Sequence, residues 1–325
     1  MQKYYFISHD INDPYFNLAS EEYLLKQKDG YYFYIWINSP AVIVGTNQNA
    51  IQEVNLSYTE ENGIKVIRRL TGGGAVYHDL NNVCYTVIAP YDVQENNYEK
   101  FTAPVIEYLN SLGVNATFSG RNDITVDGKK ISGNAQTVHK DRIMHHGTVL
   151  FDTDFTVLEK ALNPSKLKME SKGIKSVRAR VTNVSDIIGK GKMTVAEFKK
   201  GLEQTFLNFC EKYEFTKDDI LSIEKLVDEK YSRYEWNIGR SPKGKNEFSA
   251  KFPFGIFTLN FDTDNGVIKN AEIYGDFFAI KDIKELSNRL NGAKLTKNSI
   301  KSAIYDIANY IKGATAEEII NAMFN

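Results

Sequence analysis

The sequence predicts an α+β protein built from two units. Strand-like and helix-like patterns follow one another along the whole chain, with no low-complexity stretch and no fixed-period repeat. Between Glu235 and Lys251 the pattern breaks at Gly239, Pro242, Gly244 and several charges, as a linker would. A hairpin and two or three helices follow the break, enough to bury a small core of their own. The boundary is therefore expected near residue 245, with a large unit over 1–244 and a small one over 245–325.

In the large unit, Asp13-Pro14 places an N-cap before proline at the first helical position, starting a helix with Phe16, Ala19 and Tyr23 on one face. Tyr31–Ile37, Ala41–Gly45, Lys65–Arg69 and Val83–Ala89 are β-rich runs. From about Tyr98 a helix sets Phe101, Val105, Tyr108 and Leu112 on one stripe, and Gly113 closes it. Ile124–Val126 and Lys129–Ser132 flank Asp127-Gly128, which predicts a hairpin with a type I′ turn. His146–Asp152 is a further strand. Thr194 and Glu197 form a capping box ahead of Phe198, Leu202, Phe206 and Phe209 at helical spacing, and Thr216–Asp219 marks another helix start. In the small unit, Gly255–Asp262 and Val267–Tyr274 flank Asn265-Gly266. Helices are expected over Asp282–Leu290, Thr296–Ile311 and Thr315–Phe324, the last with its own capping box.

The 325 residues carry 40 Lys+Arg against 41 Asp+Glu, a formal net charge of -1, which offers no whole-protein attraction to nucleic acid or to an anionic membrane. No apolar run has the length of a membrane span, and Met1–Asp10 lacks a signal-peptide core. Cys84 and Cys210 form neither a disulfide framework nor a metal-ligand spacing, so a reducing cytoplasm is the expected compartment.

Two segments carry chemistry. In Arg68-Arg69-Leu70-Thr71-Gly72-Gly73-Gly74-Ala75-Val76-Tyr77-His78-Asp79, consecutive glycines let backbone N–H groups approach an anionic or planar ligand, and two arginines stand ready for a phosphate or carboxylate. The competing reading is a flexible turn with solvated arginines. The segment fits neither the phosphate-loop nor the dinucleotide glycine pattern, so a nucleotide site here is of another type. The second segment is Gly120-Arg121-Asn122-Asp123 followed by Lys130-Ile131-Ser132-Gly133-Asn134-Ala135. A strand fixes the direction of Lys130, whose ammonium would hold a carboxylate and a phosphate oxygen together against their repulsion, as making an acyl-adenylate requires. The competing reading is a surface lysine in a charged hairpin.

Together these motifs resemble the lipoate–protein ligase A family, of the biotin and lipoate ligase fold. RRLTGGGAVYHD (Arg68–Asp79), SGRND (Ser119–Asp123), KISGNA (Lys130–Ala135), HHGT (His145–Thr148) and KGIKSVRARVTN (Lys172–Asn183) recur in the family's order across most of the first 190 residues. The resemblance implies a large mixed β-sheet catalytic domain with helices packed on it, plus a small α+β C-terminal accessory domain. It implies that free lipoate is activated by ATP, with Mg²⁺, to lipoyl-AMP and passed to a lysine of the lipoyl domains of 2-oxoacid dehydrogenases or of the glycine-cleavage H protein. Lys130 corresponds to the lysine touching lipoate and adenylate. Arg69, Gly72, Gly73, Gly74, Ala75, Val76 and Tyr77, with Asn122, Asp123, Ser132, Gly133 and His146, correspond to the ATP and lipoate site, and Asp123 is the Mg²⁺ candidate. Lys172, Gly173, Lys175, Ser176, Val177, Arg178 and Arg180 correspond to a loop that folds over the adenylate.

Adjacent residues on a strand face opposite ways, so neither His78-Asp79 nor His145-His146 forms a catalytic or metal pair. Cys84 is most simply a buried core residue, and Tyr31–Trp36 sheet core. The alternatives are an ATP-independent octanoyl- or lipoyl-transferase of the same fold, a biotin–protein ligase, and a non-enzymatic lipoate- or adenylate-binding regulator. The transferase needs a thiol carrier, and neither cysteine lies near Lys130 or His146 in sequence.

Overall fold

A computed structural model describes residues 3–92, 97–162, 180–239 and 246–324. Its strands are β1 Tyr4–Ser8, β2 Tyr31–Ile37, β3 Ala41–Val44, β4 Lys65–Arg68, β5 Val76–His78, β6 Asn82–Pro90, β7 Thr117–Ser119, β8 Asp123–Val126, β9 Lys129–His139, β10 Arg142–Leu150, β11 Glu211–Lys212, β12 Asn246–Phe252, β13 Gly255–Asp264 and β14 Val267–Gly275. Helices of seven residues or more are α1 Pro14–Gln27, α2 Asn97–Ser111, α3 Phe155–Ala161, α4 Val195–Leu207, α5 Lys217–Leu226, α6 Lys284–Leu290, α7 Lys297–Ala303 and α8 Ala316–Phe324.

The large sheet runs β11-β1-β2-β6-β10-β9-β8-β7, with β1 parallel to β2 and β11 and the remaining pairs antiparallel. Alternation splits β2 between two cores. Phe33 and Ile35 meet Phe101, Val105, Phe198 and Phe206 of α2 and α4, whereas Tyr32, Tyr34 and Trp36 meet Leu18, Tyr23 and Leu24 of α1 and Ile223 of α5. A small sheet, β4-β3-β5, joins the second core through Ile43 and Ile67. A third sheet, β12-β13-β14, packs with α6, α7 and α8 over a separate core that includes Phe257, Phe277, Leu286 and Ile319.

The expected mixed α+β architecture is observed, and local signals hold where they are strongest. Asp13 caps α1, the capping boxes of Thr194 and Thr216 are closed, and Asp127 (φ 49°) with Gly128 (φ 75°) makes the left-handed pair of a type I′ turn. Departures come from long-range pairing. β12 occupies part of the expected linker because its backbone completes the edge of β13. The helix expected over Thr296–Ile311 ends at Ala303 and resumes as a short 3₁₀ turn, Ile307–Asn309. α1 is buried almost all round, not along one face, because α5 covers the side turned away from the sheet. No helix among the described residues is long and apolar enough to cross a membrane.

Burial leaves several imidazoles hard to protonate. It pushes His78 and His145 down to about 3 and His9 to about 4. The unfolded chain binds protons at these sites below about pH 6.5 while the folded one does not, so folding stability falls as the pH drops through that point. Urea midpoints measured from pH 7.5 to 5 should decline with a slope that steepens below 6.5. A flat profile would mean these rings protonate in place.

Candidate active site

The site forms where the small sheet faces the large one. Leu18, Trp36, Ile43, Val76, Cys84 and Ala135 form the apolar wall of a cleft there. Arg69, Gly73, Gly74, Ala75, Asn122, Lys130, Gly133, Asn134 and His146 also line it, with His78, Gly147 and Thr148. One part is thus apolar and the other polar and cationic.

Main-chain carbonyls hold both arginines ahead of the glycine run, and Arg69 also lines the cleft. Arg68 is 1% exposed and donates to the carbonyls of Gly45, Thr46, Gln48, Trp236 and Asn237, so it is not presented to a ligand. Arg69 donates to Ile43 O, Gly72 O and Gly74 O and to Thr71 Oγ1. It shapes the glycine run from beneath, and burial lowers its guanidinium to about 10. Each glycine then has its own reason. A Cβ on Gly72 would lie 2.5 Å from Phe277 O, Gly73 takes φ 89°, and Gly74 has open space above it where a ligand's anion can reach the backbone.

Lys130 is the second residue of β9, and its Nζ lies 2.8 Å from Asp123 Oδ1 with both side chains about one-third exposed. Its backbone is tied to the C-terminal end of the expected adenylate loop: Lys130 N donates to Arg180 O at 2.8 Å and Thr182 N to Lys130 O at 3.0 Å. The side chain turns back over Gly133, where a Cβ would stand 2.5 Å from Nζ. Behind it, Asn122 and Asn134 bond reciprocally, with Asn134 N donating to Asn122 O and Asn122 Nδ2 to Asn134 O. Tyr85 Oη donates to Asn134 Oδ1, and His145 Nε2 lies 3.2 Å from that oxygen.

A second polar chain supports the other wall. Arg69 Nε donates to Thr71 Oγ1, so the Thr71 hydroxyl is free to donate to His146 Nε2 at 2.8 Å. Nδ1–H of His146 then donates to Glu21 at 2.9 Å. Glu21, on α1, is 2% exposed and also accepts from Thr86. No signal in the sequence distinguishes this carboxylate from a surface residue of a helix.

A family profile for the lipoyl protein ligase A/B catalytic domain matches residues 13–207, and one for the bacterial lipoate protein ligase C-terminus matches 241–323. The chain belongs to the lipoyl protein ligase family. It is 42% identical over 327 residues to lipoate-protein ligase LplJ of Bacillus subtilis, covering 98% of each chain. The structure of P. falciparum LipL1 in complex with lipoate superposes with a TM-score of 0.77 at 28% identity, covering 99% of this chain and 97% of that one. A lipoate-protein ligase A bound with ATP gives 0.63 at 28% identity, over 74% and 99%. An archaeal bi-partite ligase and its E2 lipoyl domain, from Thermoplasma acidophilum, gives 0.66 at 29%, over 76% and 100%.

Within this ligase the expected site residues separate into groups. Arg69, Gly73, Gly74, Ala75, Val76, Asn122, Lys130, Gly133 and His146 share the cleft, and Asp123 adjoins it through Lys130. The side chains of Tyr77 and Ser132 are buried outside that lining, and Gly72 packs against Phe277. Of the adenylate loop, Lys172, Gly173, Lys175, Ser176, Val177 and Arg178 lie outside the described residues, and Arg180 is anchored to Lys130. The ligase's His145 and His146 face opposite sides of β10, as expected from alternation, and Cys84 is buried but forms part of the cleft wall.

Gly133→Ala is expected to cut activity about tenfold or more without loss of folding stability, because the new methyl displaces only the mobile end of Lys130. Steady-state lipoylation beside a urea melt checks both halves.

Proposed function

We propose that this ligase joins free lipoate to a lysine of an acceptor protein through lipoyl-AMP. In the first step a lipoate carboxylate oxygen attacks the α-phosphorus of ATP, the bond to the β-phosphate oxygen breaks, and pyrophosphate leaves. In the second, an acceptor lysine in its neutral amine form attacks the acyl carbon, AMP leaves, and the amide loses a proton to solvent. The acceptor is an E2 lipoyl domain or the glycine-cleavage H protein, and the compartment is the cytoplasm. Residues 1–244 form the catalytic domain and 245–325 the accessory domain.

The observation that carries this reading is the position of Lys130. Its ammonium lies across Gly133, in the same cleft as the open backbone at Gly74 and the apolar walls of Trp36, Ile43 and Cys84. An acyl tail in the apolar part brings its carboxylate to that ammonium, and the glycine run meets the phosphates. Lys130 offsets the repulsion between the two anions and the charge that builds at phosphorus. The low-dielectric cleft strengthens that effect and keeps water from the mixed anhydride.

Among the described residues no group of three or more His, Cys, Asp or Glu could hold a metal. A single carboxylate suits Mg²⁺ carried by nucleotide phosphates, and Asp123 is the residue that would hold it. When bound, Mg²⁺ would neutralise phosphate charge.

The transferase alternative has little support here. It needs a thiolate, yet burial pushes the Cys84 thiol well above its usual range, and Cys210, also raised to about 12, is absent from the cleft lining. With an E2 lipoyl domain, lipoate and ATP, one AMP and one pyrophosphate should form per amide. Acyl transfer from an acylated carrier protein without ATP would favour the transferase instead.

A further inference from the structure

His78 closes the apolar end of the cleft. The lining crosses the large sheet from Gly133 on β9, through Thr148 on β10 and Cys84 on β6, to Trp36 on β2, where Thr148 pairs with Cys84 and Cys84 with Trp36. Three strand-to-strand steps span about 14 Å, room for an extended pentanoyl chain and its terminal ring. At the far end the His78 ring, on β5, lies 6.0 Å from the Trp36 ring, and its Nδ1 is 3.6 Å from Cys84 Sγ.

The tautomer of this ring follows from its neighbours. Asn17 Nδ2 faces the carbonyls of Ile11 and Ile37 and the Asn38 side chain, its two hydrogens shared among the three, and a nitrogen that only donates must meet Asn38 Oδ1. Asn38 therefore presents Nδ2 to His78 Nδ1 at 3.1 Å, and Nδ1 accepts. A ring held neutral by burial then carries its proton on Nε2. That nitrogen is buried and has no hydrogen-bond partner among the described residues. The other histidines of the site differ: both nitrogens of buried His145 and both of partly buried His146 are engaged. A buried N–H left open at the wall of a ligand cleft marks the place of an acceptor that the ligand brings.

A saturated acyl tail has no acceptor at that depth, whereas a dithiolane offers two sulfurs, weak acceptors of the thioether kind. We propose that His78 Nε2–H donates to a dithiolane sulfur and is the specificity-determining group that ranks lipoate above acids with plain hydrocarbon tails. The assignment rests on the ligase reading above, in which the apolar end takes the acyl tail.

The test compares lipoate with its cyclopentyl analogue, in which methylenes replace both sulfurs, as acids that drive pyrophosphate exchange into ATP. Wild-type protein should prefer lipoate roughly tenfold in kcat/KM, the size of one modest buried hydrogen bond. His78→Asn keeps an acceptor for Asn38 but has no group at the Nε2 position. It should lose most of the preference through slower use of lipoate, with the analogue little changed, and His78→Gln, whose amide reaches that position, should regain part of it. Equal use of the two acids by wild type, or a preference that persists undiminished in His78→Asn, would overturn the assignment. A fall of both acids together in His78→Asn, with no recovery in His78→Gln, would make His78 a packing residue and overturn it too. If wild type exchanges with neither acid, the ligase reading fails first.

Discussion

Lys130→Ala is expected to slow lipoyl-AMP formation about 10³-fold while leaving the protein folded. The catalytic loss is large because a single ammonium faces both reacting anions in a partly enclosed cleft. The structural cost is small. The Lys130 backbone keeps its bonds to Arg180 and Thr182, and the ion pair lost with Asp123 is about one-third exposed, worth at most about 1 kcal/mol. Transfer from chemically prepared lipoyl-AMP should fall less, since only the first step brings two anions together. Single-turnover assays of each half-reaction separate these effects. Equal losses in both steps would point to damage of the cleft as a whole.

Arg68→Met is expected to do the reverse, with a loss of folding stability of about 4 kcal/mol. Removing this guanidinium leaves five carbonyl oxygens without their charged donor in a buried region. Those of Gly45, Thr46 and Gln48 belong to the loop beneath the glycine run, and those of Trp236 and Asn237 to the segment that caps it. Hydrogen bonds to a charged group are the stronger kind, and the orphaned acceptors pay their full desolvation. A shift in the urea midpoint worth less than about 1 kcal/mol would mean that water takes over those bonds. Activity should fall only as far as the folded fraction falls.

These two residues also show what the sequence can tell. Lys130 was singled out by the family resemblance, since its hairpin alone left a surface lysine as the competing reading; Asp127-Gly128 sets its turn and Gly133 leaves room for its side chain, but Arg180 and Thr182, which hold its backbone, are brought in by folding. Arg68 and Arg69 look alike in sequence, as two cations before a glycine run. Their partners are carbonyls brought in by folding, some of them 168 and 169 residues away, and no local pattern records that. The walls of the cleft were hidden for another reason. Leu18, Trp36, Ile43 and Cys84 are the residue types of a core, and an apolar pocket is a core with one part left open. Glu21 lies on the side of α1 that meets β6 and β10, and its burial against Thr86 and His146 came only with the tertiary fold.

β12 and the shortened α7 follow the same rule. A strand that completes an edge needs no strong propensity of its own, and a helix with continuous apolar spacing still ends where packing turns the chain.

The most direct test of the account is lipoate-dependent exchange of labelled pyrophosphate into ATP, with Mg²⁺ and no acceptor protein. Exchange should require lipoate and vanish in Lys130→Ala. Exchange at the wild-type rate in Lys130→Ala, or none in the wild type beside acyl transfer without ATP, would contradict it.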